Sequence, residues 1–298
     1  MSRLRLTAAL GRLRLPALAA CALAWLLGAA PGALADSTQS TNWAGYAVHG
    51  PGVHFTQVVG QWTQPTVTCT PGPPTYSSLW VGIGGYSQSS QALEQIGTEA
   101  DCSPGGREQS SAWFELVPAA SNTISMRVAP GDGVRATVTV AGHQVTMSLL
   151  DLTTGRSFQR RLHARLIDTT SAEWIVEAPS LCSGNSCQTL PLADFGSTGF
   201  AFATASSSGG LSGTIQSPGW NATGITLFEG GRRLGGPGTN HGQVTAVPGA
   251  LAFNGSLFGV TFNGGPGRAV VSSTRTAGGR LVHSTRAEAR RAARPARP

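Results

Sequence analysis

The chain contains no lysine: all 21 of its Lys and Arg positions are arginine. A phosphate-cradling P-loop, whose motif requires Lys, is therefore excluded. Charge is scarce, at 12% of 298 residues, and the formal net charge of +7 is unevenly placed. Four Arg precede residue 36 and eight lie between Arg268 and Arg297. The stretch from Asp36 to Gly264 holds nine Arg against thirteen acids, a net charge of −4. A nucleic-acid-binding globule should carry its basic charge on the folded surface, so that class is excluded too. Also missing are the GxSxG turn of serine hydrolases, the HExxH helix of zinc peptidases and any CxxC pair. The six His are scattered, and Gly235-Gly236-Pro237-Gly238 lacks the strand-turn-helix setting of a dinucleotide site. Neither a metal nor another cofactor is implied.

No apolar run is long enough to span a bilayer. The longest, Ala17–Ala30, has 14 residues, whereas a spanning helix needs roughly 20. It follows an Arg-bearing start and precedes the small-residue site Ala33-Leu34-Ala35, the pattern of a cleaved secretory signal over residues 1–35. The mature protein is then expected outside the cell, with no membrane contact after cleavage. Cys21 leaves with the signal, and the four remaining Cys form an even set in an oxidising compartment. Cys182-Ser-Gly-Asn-Ser-Cys187 closes a short loop with turn residues at its tip, which predicts the pairs 182–187 and 69–102. From residue 265 to 298 the chain is rich in Gly, Ala, Arg and Pro and reads as a loosely attached tail.

Between these ends the dominant period is two. Val134, Ala136, Val138 and Val140 alternate with Arg135, Thr137 and Thr139, and Ala141-Gly142 turns the chain into Val145, Met147 and Leu149. Short alternating runs broken by Gly, Pro and Asn, with no sustained helical period, predict one all-β domain over residues 36–264, a sandwich or barrel. The same alternation puts Trp113 with Glu115, Glu173 and Ile175 with Glu177, and Trp80 with Gly82 on single strand faces. A face bearing Trp and carboxylates is either solvent surface or a substrate groove.

With nucleophilic and metal routes unsupported, carboxylate chemistry remains, and the acids to weigh are Glu94, Glu99, Asp101, Glu115, Glu173 and Glu177. A glycosidase needs two carboxyls roughly 5–9.5 Å apart. Glu173 and Glu177, four strand residues apart, are separated by about 13 Å, although Glu115 with Glu177 could serve. A carbohydrate-active or carbohydrate-binding sandwich and a non-catalytic binding domain thus stand beside a peptidase.

Seven segments in order resemble the glutamic peptidase (eqolisin) family, whose type is the scytalidoglutamic acid peptidase. They are Ser40–Tyr46 (STNWAGY), Gly60–Pro65 (GQWTQP), Trp80–Ile83 (WVGI), Leu93–Gly97 (LEQIG), Ala112–Glu115 (AWFE), Leu152–Gly155 (LTTG) and Ala172–Glu177 (AEWIVE). The resemblance implies two packed antiparallel sheets, a concanavalin-like jelly roll, with a concave face that holds an extended peptide or denatured protein. It also implies a catalytic pair, Gln95 and Glu177, with Trp80, Trp113 and Glu115 in the substrate groove. A monomer is expected, and carboxylates that must deliver a proton to a poor leaving amine are expected to work in acid, at roughly pH 3–5. Gly84 stands where the family commonly has Asp, and Glu99 where a shorter acid is common. Gln95 and Glu177 lie 82 residues apart, so only sheet pairing can bring them together.

Overall fold

The computed structural model describes residues 35–183, 186–229, 243–264 and 280–282. The segment read as a secretory signal lies outside these residues, except for Ala35. The strands are β1 (Asp36–Ser40), β2 (Trp43–His49), β3 (Phe55–Thr63), β4 (Ser78–Ile83), β5 (Leu93–Cys102), β6 (Glu108–Val117), β7 (Asn122–Ile124), β8 (Gly133–Ala141), β9 (Gln144–Asp151) and β10 (Ser157–His163). They continue as β11 (Ser171–Glu177), β12 (Ser180–Ser183), β13 (Ser186–Thr189), β14 (Ser197–Ser207), β15 (Ser212–Thr214), β16 (Asn221–Glu229), β17 (Gln243–Pro248), β18 (Phe258–Phe262) and β19 (Arg280–Val282). The helical content among the described residues is one 3-10 turn, Phe253–Gly255.

The alternating runs became the strands they predict. Val134 to Val140 lies in β8 and Val145 to Leu149 in β9, paired antiparallel across a turn in which Gly142 takes the left-handed φ of +59°. One sheet runs β10-β9-β8-β3-β14 and the other β14-β18-β17-β16-β2-β11-β4-β5-β6-β7. The long strand β14 belongs to both. A bulge between Ala201 and Thr204, with Phe202 at φ +51°, interrupts its ladder to β3. All these pairings are antiparallel, and β1 adds a parallel pair on β16. The result is the expected sandwich, with its two sheets continuous through one shared strand.

Between the sheets lies the main core. Val81, Ile96, Phe114, Trp174 and Val176 of one sheet meet Val58, Trp62, Val138 and Met147 of the other, all of them buried. Two indoles bridge the layers: Trp174 Nε1 donates to the Val59 carbonyl at 2.7 Å, and Trp62 Nε1 to Thr98 Oγ1 at 2.9 Å. These bonds answer the polar handle that a buried Trp brings into a core. Gly60 lets β3 approach this closely, because a Cβ there would lie 2.8 Å from both Trp174 Cδ1 and Val81 Cγ1. A smaller apolar cluster, Trp43, Ala47, Trp80, Leu93, Trp113, Val117, Ile175 and Ile225, sits on the opposite face of the larger sheet.

Both predicted disulfides are present, Cys69–Cys102 and Cys182–Cys187. The first ties the end of β5 to the loop after β3. Of the segment read as a loose tail, only Arg280–Val282 is described, and it is a strand, antiparallel to β12.

Substituting Gly60→Val should overpack the layer between β3 and Trp174 and lower unfolding stability by about 1–3 kcal/mol. Urea unfolding followed by tryptophan fluorescence is the measurement, with an unchanged midpoint the contrary result.

Candidate active site

Register across four neighbouring strands builds the site. Strand β11 lies between β2 and β4, β4 pairs with β5, and β5 with β6. Three rows of residues follow on the face that turns away from the main core. The first is Ala47, Glu173, Gly82, Gln95, Glu115; the second is Gly45, Ile175, Trp80, Gly97, Trp113; the third is Trp43, Glu177, Ser78, Glu99, Ser111. All five site residues expected from sequence, Gln95, Glu177, Trp80, Trp113 and Glu115, therefore share one face. Gln95 and Glu177 are not direct cross-strand partners. They flank β4 in different rows, and the Trp80 row runs between them.

The Trp80 indole fills that intervening space. A Cβ on Gly82 would lie 2.9 Å from Trp80 Cζ3, and one on Gly97 would lie 2.6 Å from Trp80 Cβ. The ring thus lies over Gly82 of its own strand, and Gly97 of β5 lets that strand come close to the Trp80 backbone. At its polar end, Nε1 donates to Glu177 Oε2 at 2.8 Å. Trp43 meets the ring edge-on, with centroids 5.0 Å apart and planes at 76°, a favourable aromatic geometry.

Each oxygen of Glu177 receives an N–H. Asn42 Nδ2 donates to Oε1 at 2.9 Å, opposite the Trp80 bond to Oε2. An ionised carboxylate is acceptor-only, so two neutral donors suit that form. The orientation of Asn42 is itself fixed, since Ser40 Oγ donates to its Oδ1 at 3.1 Å and Ala178 N–H donates to its backbone carbonyl at 2.8 Å. At the other end of the indole, Gln95 Nε2 donates to Glu115 Oε2 at 2.8 Å. Because Glu115 is engaged by Gln95 and lies on the third strand from Glu177, the two do not form the carboxyl pair of a glycosidase. Glu99 accepts from Ser111 Oγ at 2.6 Å. Gln95, Glu115, Glu177, Trp80 and Trp113 are all buried.

Asn42, Trp43 and Ser40 were not singled out from sequence as site residues, although all three belong to the first recognisable segment. Alternation would place Trp43 on one face of β2, but only the pairing of Trp43 with Glu177 reveals that this face is the site.

The remaining acids separate by environment. Glu94 and Glu173 are fully buried, and none of their four carboxyl oxygens has a hydrogen-bond partner. Burial pushes the pKa of Glu173 well above its ordinary value. The Ser171 hydroxyl, too poorly placed for a full hydrogen bond, opposes the shift, and the negative charges of Asp168 and Glu94 add to it. Glu94 is raised likewise, by burial first and then by Asp168. Burial also acts to raise Asp168 but is outweighed by hydrogen bonds, and its pKa falls. Thr170 donates to it through both N–H and Oγ1, at 2.9 and 2.7 Å, and Gly85 through its N–H at 3.3 Å. This loop explains the departure at Gly84. With φ at +87°, a Cβ there would lie 2.4 Å from the Asp168 carbonyl oxygen and 2.8 Å from its Cβ, so Asp168 occupies space that an Asp at position 84 would need.

The fold and this face define a β-sandwich of the glutamic-peptidase type, with one buried carboxylate and one buried carboxamide held on either side of a tryptophan. A sequence profile of the Peptidase A4 family matches residues 41–229. The chain belongs to that family and is a glutamic-type endopeptidase by class. Among solved structures, scytalido-glutamic peptidase with a peptide-based transition-state analogue is similar at 22% identity and a TM-score of 0.59, covering 74% of this chain and 98% of that one. The eqolisin SCP-B, in complex with the tripeptide Ala-Ile-His, is similar at 21% identity and a TM-score of 0.57, with the same coverage. A search of curated protein sequences finds no significant match.

The burial of Glu94 and Glu173 sets the sign of a pH effect. Below the ordinary Glu value both folded and unfolded chains are protonated there. As pH rises, the unfolded chain ionises first, so stability is lost until pH passes the raised folded values. Tm should therefore fall from about pH 4 toward neutrality, each unit of pKa separation costing about 1.4 kcal/mol. Glu173→Gln should flatten that fall in a calorimetric pH series; an equally steep fall in the variant would contradict it.

Proposed function

We propose that this chain is a secreted acid endopeptidase in which Glu177 is the general base and Gln95 the oxyanion donor, with Trp80, Trp113 and Glu115 contacting an extended peptide. The observation that carries the reading is the Glu177 carboxylate held by one N–H on each oxygen, on the same sheet face as the Gln95 amide.

Glu177 accepts a proton from water as the water oxygen attacks the scissile carbonyl carbon. Negative charge moves onto the carbonyl oxygen, where the Gln95 amide donates to it. An amide nitrogen carries two hydrogens; Glu115 takes one and so sets the plane of the group, and the other serves the oxyanion. Protonated Glu177 then delivers its proton to the amide nitrogen of the substrate as the C–N bond breaks, leaving a carboxylic acid, an amine and the regenerated carboxylate. No covalent intermediate forms. Asn42 and Trp80 hold the carboxylate oxygens through the cycle, and Ser40 keeps the Asn42 amide facing the right way.

Three observations support export, work in acid and a peptide substrate. The signal pattern over residues 1–35 and the two disulfides fit export into an oxidising compartment. Glu94 and Glu173 favour a folded state below neutrality. The peptide ligands in the two similar structures support a peptide substrate here.

Glu177→Gln preserves shape but cannot take the proton. It should reduce cleavage of acid-denatured haemoglobin at pH 3–5 by about 10²–10⁴-fold, and Gln95→Ala by about 10²–10³-fold. Circular dichroism controls for folding. A folded Glu177→Gln protein that cleaves at the wild-type rate, or that acts on a polysaccharide and on no protein, would overturn the reading.

A further inference from the structure

The hairpin that follows Glu177 has two edges. Strands β12 and β13 pair with each other, Cys182 facing Cys187 across the disulfide. The outer edge of β12 is also taken: β19 lies antiparallel along it, Val282 opposite Ser180, Leu281 opposite Leu181 and Arg280 opposite Cys182. Ser180 is three residues from Glu177, and the residue between them that matters most is Ala178, whose N–H donates to the carbonyl of Asn42. The foot of the hairpin is tied to the same end of the site through Tyr76, whose N–H donates to the Pro191 carbonyl at 2.9 Å. Asp101 and Glu99 lie near the Tyr76 phenol: after burial, their charges raise its pKa. The C-terminal strand therefore docks where β11 ends at Glu177, beside an acidic patch.

An exposed strand edge offers a row of unpaired N–H and C=O groups to any extended chain. Three residues pair weakly alone, but this segment is tethered. Fifteen residues of the same chain separate Gly264 from Arg280, and this covalent link raises the concentration of the strand at the edge above that of a free peptide. Charge acts in the same direction, since eight Arg lie from Arg268 onward while the body carries −4.

We propose that the outer edge of β12 is a docking site for an extended peptide strand, that the C-terminal segment of this chain is its resident occupant, and that the pairing restrains peptide binding at the Glu177 end of the site. The restraint rests on the peptidase reading above; the docking does not. The segment is then a tethered competitor of the substrate and not a solvated end.

In an antiparallel ladder the N–H groups of alternate residues face the partner, so replacing two consecutive residues removes a donor whichever parity holds. The test uses the full chain with Arg280→Pro and Leu281→Pro together, circular dichroism and Tm reporting on the sandwich. Amide exchange over Ser180–Ser183, followed by mass spectrometry, should become at least about tenfold faster in the variant. The kcat/KM for a quenched extended peptide at acid pH should rise severalfold through KM, with kcat unchanged. Unchanged exchange would overturn the docking, and faster exchange with unchanged kcat/KM would overturn the restraint. Absence of cleavage by both proteins would overturn the peptidase reading and the restraint with it, while exchange would still decide the docking.

Discussion

The Trp80 indole lies along its own strand because Gly82 beside it carries no Cβ, and Gly97 across from it lets β5 approach its backbone. In that position it is the floor of the site, the spacer between the carboxamide and the carboxylate, and a donor to Glu177. A side chain at Gly82 would press on the ring itself, and one at Gly97 on the backbone and Cβ from which the ring projects. The two functional groups sit on strands that do not pair with each other, so no hydrogen-bond ladder fixes their separation directly. A rigid bicyclic ring does so instead, and Trp43 packed edge-on against it limits its tilt.

Around this floor the carboxyl groups are sorted by what reaches them. Glu177 has an N–H on each oxygen, Glu115 faces an amide, and Asp168 collects donors from Thr170 and Gly85. In Glu94 and Glu173 burial and negative neighbours outweigh what little opposes them, and their pKa values are pushed up. The pKa of Asp168 is thus shifted down and those of Glu94 and Glu173 up, and the difference is made by local donors and not by residue type.

Alternation in the sequence was enough to place Trp80, Trp113, Glu115 and Glu177 on definite strand faces, because period two assigns a face to every residue of a strand. It could not say that those faces are one face. That depends on which strands pair and in what register, which is set by contacts across the sandwich, such as Trp174 against Gly60, between segments more than a hundred residues apart. For the same reason Asn42 and Trp43 read as part of a fingerprint, and not as a donor to the carboxylate and a brace for the Trp80 ring. Gly84 looked like a missing acid; the loop at Asp168 shows why none fits there, a relation between two segments that neither reveals alone. The short loop between Cys182 and Cys187 was legible because its constraint is local.

The order of the sheets has a further consequence for how the molecule meets its neighbours. Among the described residues, the main path of the ladder ends at β10 and β7. The first exposes Arg160 and Arg161, and the second is three residues long. Charge and brevity are the features that keep a terminal strand from recruiting another copy of itself. Among the described residues, backbone hydrogen-bonding capacity is guarded at both ends of the main ladder, while β12 gives its outer edge to a strand of the same chain.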